Sequence, residues 1–372
     1  MRAPVLLLAA VLATALAPSA RAAGWIVRGA GFGHGVGLSQ YGAYGMAQQG
    51  AGYRRILANY YRGTRIENIG GRPIRVLLRE RAREIVVTNA ARIGGRRASP
   101  RRRYTVTRLP NRRVTVRTAG RRFGRFPAPL VVANDVAAVV LHGRALNGVT
   151  GGAYHGTLEV SPAGPRGLAA VNALPVDAYV RGVVAGEMFS SWDLEALKAQ
   201  AVAARTYSQT TDAGGDLFDQ YPDTRSQVYK GIAGETRRSD AAVRGTAGEI
   251  LTYRGRPATT FYFSSSGGQT ESVEYGFPGG TPTPYLVSVQ DPTDRISPHY
   301  RWAVRFTTKG IQRRLRGILR GRLRAIRVVS RGRSPRVVQA EVVGTKGRRR
   351  VGGDVLRDRL DLRSTWVRVA KG

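Results

Sequence analysis

Glu187 ends an apolar stripe, a position that suits a carboxyl group to proton transfer. Val176, Tyr179, Val180, Val183 and Val184 recur at i, i+3, i+4, i+7 and i+8, which predicts a helix with one buried face. The next position on that face is Glu187. Burial disfavours an ionised carboxylate and raises its pKa, and the negative end of the helix dipole pushes the same way. An acid that stays protonated near neutral pH is what general acid catalysis requires. The alternative is a helix that frays at Gly186, with Glu187 on the surface or ion-paired with Arg181. Lys198 and Arg205 lie seven residues apart on the next segment. They either point positive charge at an anionic substrate or pair with carboxylates across the core. Arg205 is the more structural of the two, because one guanidinium satisfies several acceptors.

Two further stretches carry polar chemistry. Residues Gly29 to Gly37, GAGFGHGVG, put glycine at every second position and present a single imidazole, His34. The spacing fits neither the dinucleotide fingerprint nor a Walker A loop. By residue type alone, a lone His is a structural hydrogen-bonder. Ser264-Ser265-Ser266-Gly267-Gly268 is not a nucleophile elbow, since it lacks the G-x-S-x-G order and a His-Asp pair. It reads equally as a hydroxyl-rich loop for a sugar or developing charge and as a capping turn. Glu271 and Glu274 are the nearest rivals for a second carboxylate.

These residues need elements to hold them. Pro175 and Asp177 open the helix that carries Glu187. Ser190 or Ser191 is expected to cap a second helix, with Asp193 and Glu195 in its first turn and Leu194, Leu197, Ala201 and Ala204 on its apolar face. Ser39 is expected to cap a helix from Gln40 to Gln49. Between Ile74 and Val160, runs such as IRVLL, EIVVT, YTVTRL, RVTVRT, PLVVA and TLEVS predict strands, with Arg96 to Arg103 as a solvated connector. Thr259 to Phe263 reads as a strand leading into the triple serine. Lys309 to Arg324 reads as a basic amphipathic helix, which either lies on an anionic surface or packs its apolar side on its own domain. Strands are expected at Ala325 to Val329 and Val337 to Val343. The fold class is α+β, a β-rich scaffold with a central helical pair carrying Glu187 and a groove lined by glycine-rich and serine-rich loops.

Composition narrows the setting. The 372 residues are enough for a proper core, and the absence of Cys excludes disulfides and thiolate metal sites. Residues 1–23 read as a secretion signal: Arg2, an apolar run from Val5 to Leu16 too short to span a bilayer, and a small-x-small site at Ala20-Arg21-Ala22. The net charge of +36 comes almost wholly from arginine and draws the chain to polyanions. Behind an export signal those are wall polymers, lipid headgroups and peptidoglycan carboxylates, with nucleic acid discouraged.

YVRGVVAGEM followed by W-x-x-EALKAQAVAARTY resembles the signature of the stage II sporulation protein D family, which includes the amidase enhancer LytB. DTRSQVY (223–229), YFSSSGGQTES (262–272), PYLVSVQDP (284–292) and GFGHGVGLSQYGAYGMAQQG (31–50) extend the resemblance over most of the chain beyond residue 23. It implies a lytic transglycosylase acting on peptide-poor peptidoglycan strands without a cofactor, with Glu187 as the catalytic acid. It implies that His34, Ser39 and Gln40 line the groove and contact sugar, with Lys198, Arg205, Gln227, Tyr229, Ser264, Ser265 and Ser266 as further candidates. A cell-wall amidase is an implied partner. Some family members hold a metal near the DTRSQVY stretch; Pro222, Arg225 and Ser226 here lack the ligands, so none is expected.

The resemblance also implies an order: residues 24–69 as the Gly-His-Gly loop and helical segment, 70–172 as the β-rich region, 173–308 as the catalytic core and 309–372 as an α+β segment completing the same domain. In the family pattern the Gly-His-Gly segment follows the last strand; here it precedes everything else. A circular permutation accounts for this and predicts that the strand near Trp366 to Val369 lies beside Trp25 to Arg28.

Overall fold

The runs between residues 74 and 160 alternate apolar and polar positions, so each strand has one face to bury. In the computed structural model, which describes residues 24–372, they build two six-stranded antiparallel sheets. The expected secretion signal lies outside the described residues. One sheet runs in the order 121–127, 113–118, 104–109, 84–88, 139–144, 150–154. The other runs 74–82, 167–174, 157–163, 130–133, 92–93, 96–97. Val87, Val106 and Val116 of the first and Val76, Val132 and Val160 of the second are buried in one hydrophobic cluster. The Arg96 to Arg103 connector is not wholly a loop, since Arg96 and Arg97 pair with Arg92 and Ile93.

Four helices lie against this scaffold: α1 (Gln40–Gln48), α2 (Tyr53–Tyr60), α3 (Val176–Glu187) and α4 (Leu194–Thr210). Helix α3 follows directly from the strand Gly167–Leu174. Helix α4 is buried on nearly every side, because Ala196, Ala199, Ala201, Ala203 and Ala204 let neighbours approach all round. Its expected caps, Ser190 and Ser191, are corrected to Asp193, whose carboxylate accepts from the Glu195 N–H. The serines instead belong to a turn in which the Trp192 N–H donates to the Phe189 carbonyl at 3.0 Å. Ser39 caps α1 as expected, accepting from the Gly42 N–H.

The strand expected at Thr259 to Phe263 shrinks to Tyr262 and Phe263, which pair in parallel with Leu38 and Ser39. That short pairing brings the glycine loop and the serine turn together. Strand Gly24–Gly29 sits between 302–307 and 367–371, with Val27 opposite Val369 and Arg28 opposite Arg368. This is the expected adjacency of Trp25–Arg28 and the strand near Trp366–Val369. Trp25 and Val27 join Ile311, Leu315, Ile318 and Leu356 in a second hydrophobic cluster. The basic helix is shorter than expected, Thr308–Arg314, and its apolar side is occupied by its own fold.

Candidate active site

Glu187 is the last residue of α3, and glycines decide what packs beside it. A Cβ on Gly186 would lie 2.6 Å from the Val228 carbonyl, and one on Gly182 would lie 2.5 Å from the Tyr229 ring. Glycine on that face lets the segment around Val228 lie flush along the helix. The Val228 N–H then donates to Glu187 Oε1 at 2.7 Å. The side chain enters a cavity of about 490 Å³ lined also by Gln40, Tyr207, Arg225, Tyr262 and Phe277.

Burial pushes the Glu187 carboxyl above the usual carboxylate range. Hydrogen bonds from the Val228 N–H, the Tyr262 hydroxyl and the Gln40 amide pull it partly back. The Tyr262 hydroxyl belongs to a buried relay. Tyr179 donates to Gln227 Oε1 at 2.9 Å, and Gln227 Nε2 donates to the Tyr262 oxygen at 2.8 Å. All these donors are neutral, and among the described residues no ion pair involves Glu187. Arg181 lies instead toward Glu235, 3.9 Å away, so the surface ion-pair reading of Glu187 does not hold.

The glycine loop supplies one wall. Gly31, Gly33, Gly35 and Gly37 all have positive φ, between 75° and 107°, which explains their alternation. A Cβ on Gly35 would lie 2.3 Å from Arg336 Nε, and the buried Arg336 ties that loop to the serine turn through Gly33 and Ser266 carbonyls. Burial brings the Arg336 guanidinium down to about 10.

Several expected substrate contacts take other roles. His34 lines the cavity, but the Val36 N–H donates to its Nδ1 at 3.1 Å and its Nε2 bonds the Tyr262 carbonyl at 3.0 Å. With both nitrogens engaged by backbone, the ring is a structural hydrogen-bonder. Burial and Arg336 hold it neutral, with its pKa down to about 3. Ser39 is fully buried, its hydroxyl donating to Asp294 Oδ1 at 3.0 Å. Ser265 is also buried and donates to Asp294 Oδ2 at 2.8 Å, while Ser266 Oγ accepts from the Gly268 N–H. These three serines are corrected from ligand contacts to the struts of a buried turn; Ser264 alone of the three consecutive serines lines the cavity.

Gln227 and Tyr229 are likewise buried beneath the cavity, the tyrosine donating to Asn172 Oδ1 at 2.7 Å, so neither is placed to touch a ligand. Lys198 pairs with Glu195 at 2.7 Å and does not line the cavity. Arg205 is buried and bonds Asp177 at 2.7 Å and the Glu249 carbonyl at 3.0 Å, the structural alternative. Glu271 is buried and accepts from the Arg333 N–H and the Ser334 hydroxyl, and Glu274 lines a different cavity. Among the described residues, Glu187 is therefore the single carboxylate lining this one. Among the described residues, no group of three or more His, Asp or Glu is arranged to hold a metal ion.

Sequence reasoning did not single out Tyr262, Tyr207, Phe277 or Phe32. Spacing does not separate a ring that lines a cavity from one in the core. Phe32, partly exposed at the cavity, begins a string of ring contacts through His299, Tyr41 and Trp192 to the exposed Phe189, with centroids 5.0, 6.1, 4.7 and 5.5 Å apart.

The mixed α and β fold thus sinks the Glu187 carboxyl, held by hydrogen bonds, into an aromatic-walled cavity. Residues 165–253 match the family model described as Stage II sporulation protein. The stage II sporulation protein D of Bacillus amyloliquefaciens is 35% identical over 221 residues, 53% of this chain and 62% of that protein. That of Bacillus subtilis (strain 168) is 39% identical over 165 residues, 39% of this chain and 47% of the relative. The amidase enhancer of the same strain is 40% identical over 126 residues, 34% of this chain and 16% of the relative. Residues 165–253 thus carry a Stage II sporulation protein domain, and the chain is similar to stage II sporulation protein D and to an amidase enhancer while spanning less than two thirds of the length of these relatives.

Proposed function

We propose that this protein is an exported, wall-associated lytic transglycosylase that cleaves peptide-poor peptidoglycan strands. The observation that carries the reading is the Glu187 carboxyl, raised by burial, held by neutral donors and open to a cavity with no second carboxylate. Hydrolytic glycosidases generally need two carboxylates around the scissile bond. An internal transfer needs one. The protonated Glu187 gives its proton to the glycosidic oxygen as the bond to C1 breaks. Its carboxylate then takes the proton of the C6 hydroxyl as O6 bonds to C1. The product is a 1,6-anhydro sugar, no water is consumed, and Glu187 returns to its starting state. The exposed rings at the two ends of the string, Phe32 and Phe189, offer apolar faces against which sugars can pack.

Purified peptide-free glycan incubated with the wild type is expected to give fragments with anhydro ends by mass spectrometry, and Glu187→Gln is expected to give about 10²–10⁴-fold less of them. Reducing ends would mark a muramidase and overturn the transfer mechanism. The similarity to an amidase enhancer favours a second reading, a non-catalytic wall-binding partner of an amidase. On that reading Glu187→Gln leaves stimulation of an amidase unchanged and the wild type cuts no glycan.

A further inference from the structure

The strands 104–109, 113–118 and 121–127 bury Tyr104, Val106, Val114 and Val116 on their inner face. Their outer face sets Thr105, Arg117 and Arg122 in one row, Arg117 directly opposite both neighbours. Side chains paired in this way stand about 5 Å apart at Cβ, where like charges repel. Arg96, Arg102, Arg103 and Arg121 close around the row and leave a cleft of about 890 Å³ that no acidic residue lines. Residues 96–125 hold twelve arginines and no Asp or Glu. Arg96 donates to the Phe123 carbonyl at 2.6 Å. The side chains of Arg102, Arg103, Arg117, Arg121 and Arg122 are exposed and, among the described residues, make no hydrogen bond or ion pair. A sheet that gathers unneutralised guanidinium groups against their mutual repulsion is matched by an anion from outside.

We propose that this cleft binds a base-free polyphosphodiester, a polyol-phosphate chain of the cell wall. Planar guanidinium forks match phosphate oxygens two at a time, and repeated forks suit a repeating phosphate. Single-stranded nucleic acid would need an open ring to stack its bases. The cleft offers none: Phe123 is covered by the Arg96 guanidinium at 4.8 Å and packed against Tyr104 and Phe126. The cleft shares no lining residue with the Glu187 cavity, so the proposal stands apart from the reaction proposed there.

The test is binding of the full chain to labelled poly(glycerol phosphate), followed by fluorescence anisotropy over a range of salt. Arg117→Gln, Arg121→Gln and Arg122→Gln together are expected to weaken binding about tenfold or more and to make the log–log salt dependence shallower by roughly two. Arg322→Gln, Arg324→Gln and Arg327→Gln, an equal charge change on another exposed face, are expected to bind like the parent. Replacing the three cleft arginines with lysine keeps the charge, removes the forks and is expected to fall between the two. It carries the test if the glutamine variant does not fold. Equal weakening by both glutamine triples would overturn the proposal in favour of net charge alone. Tighter binding of duplex or single-stranded DNA than of the polymer, at equal phosphate, would overturn it in favour of nucleic acid.

Discussion

Two sets of buried carboxyls flank the residues around Ser39, and they are built to different ends. Glu187 accepts one backbone N–H and side-chain bonds from Tyr262 and Gln40, and it opens on a cavity. Asp294 is fully buried and saturated by the Ser39 hydroxyl, the Ser265 hydroxyl and the Gly267 N–H. Its neighbour Asp291 accepts from the Tyr60 hydroxyl at 2.9 Å and is pushed up to about 6 by burial and by Asp294. Burial raises all three, so a raised pKa does not by itself mark a reagent. Access to a cavity separates the acid that can give up its proton from the acids that pin a turn.

The sharpest way to break this comparison is Glu187→Gln. It is expected to leave the fold intact and to lower glycan cleavage by about 10²–10⁴-fold, the range of general acid catalysis. Unchanged turnover would demote Glu187 to a strut. Asp294→Ala should act in the opposite sense, on stability first. It strands the buried Ser39 and Ser265 hydroxyls and the Gly267 N–H, at a cost of roughly 3 kcal/mol by chemical denaturation. Wild-type stability after that change would show that the turn is held by something else.

Tyr262→Phe sharpens the contrast further. Removing a donor to the carboxylate raises the Glu187 pKa further, since that hydrogen bond lowers it. Cleavage by a protonated acid falls as pH rises through its pKa. The alkaline limb of the pH–rate profile should therefore move to higher pH in the variant, with maximal turnover reduced on the order of fivefold, as for one hydrogen bond. A last contrast, confined to low pH, concerns His34. Its folded pKa of about 3 lies below the free value of 6.5, so the unfolded chain takes up a proton first as pH falls. Stability should decline between those two values, and His34→Gln should flatten that decline in denaturation curves measured across the range.

Much of the site was legible in the chain. The valine stripe on α3 places Glu187 beside the core because helical periodicity is local, and the alternating glycines announce backbone that other residues disfavour. The strand runs of residues 74–160 are legible for the same reason. The roles of the polar residues were not. Ser39, Ser265, Ser266 and Gln227 have the same chemistry whether they face a ligand or a buried aspartate or tyrosine. The choice rests on partners as distant as Asp294 from Ser39.

The sequence by itself determined α3, the strand runs of residues 74–160 and the carboxyl at the end of an apolar face, because each follows from the spacing of neighbours along the chain. Tertiary structure alone decided which histidine nitrogens are spoken for, which serine reaches the cavity and that no second acid joins Glu187. Those outcomes depend on contacts such as His34 with Tyr262 and Ser39 with Asp294, between residues far apart in the chain, and burial by distant segments shifts their proton affinities.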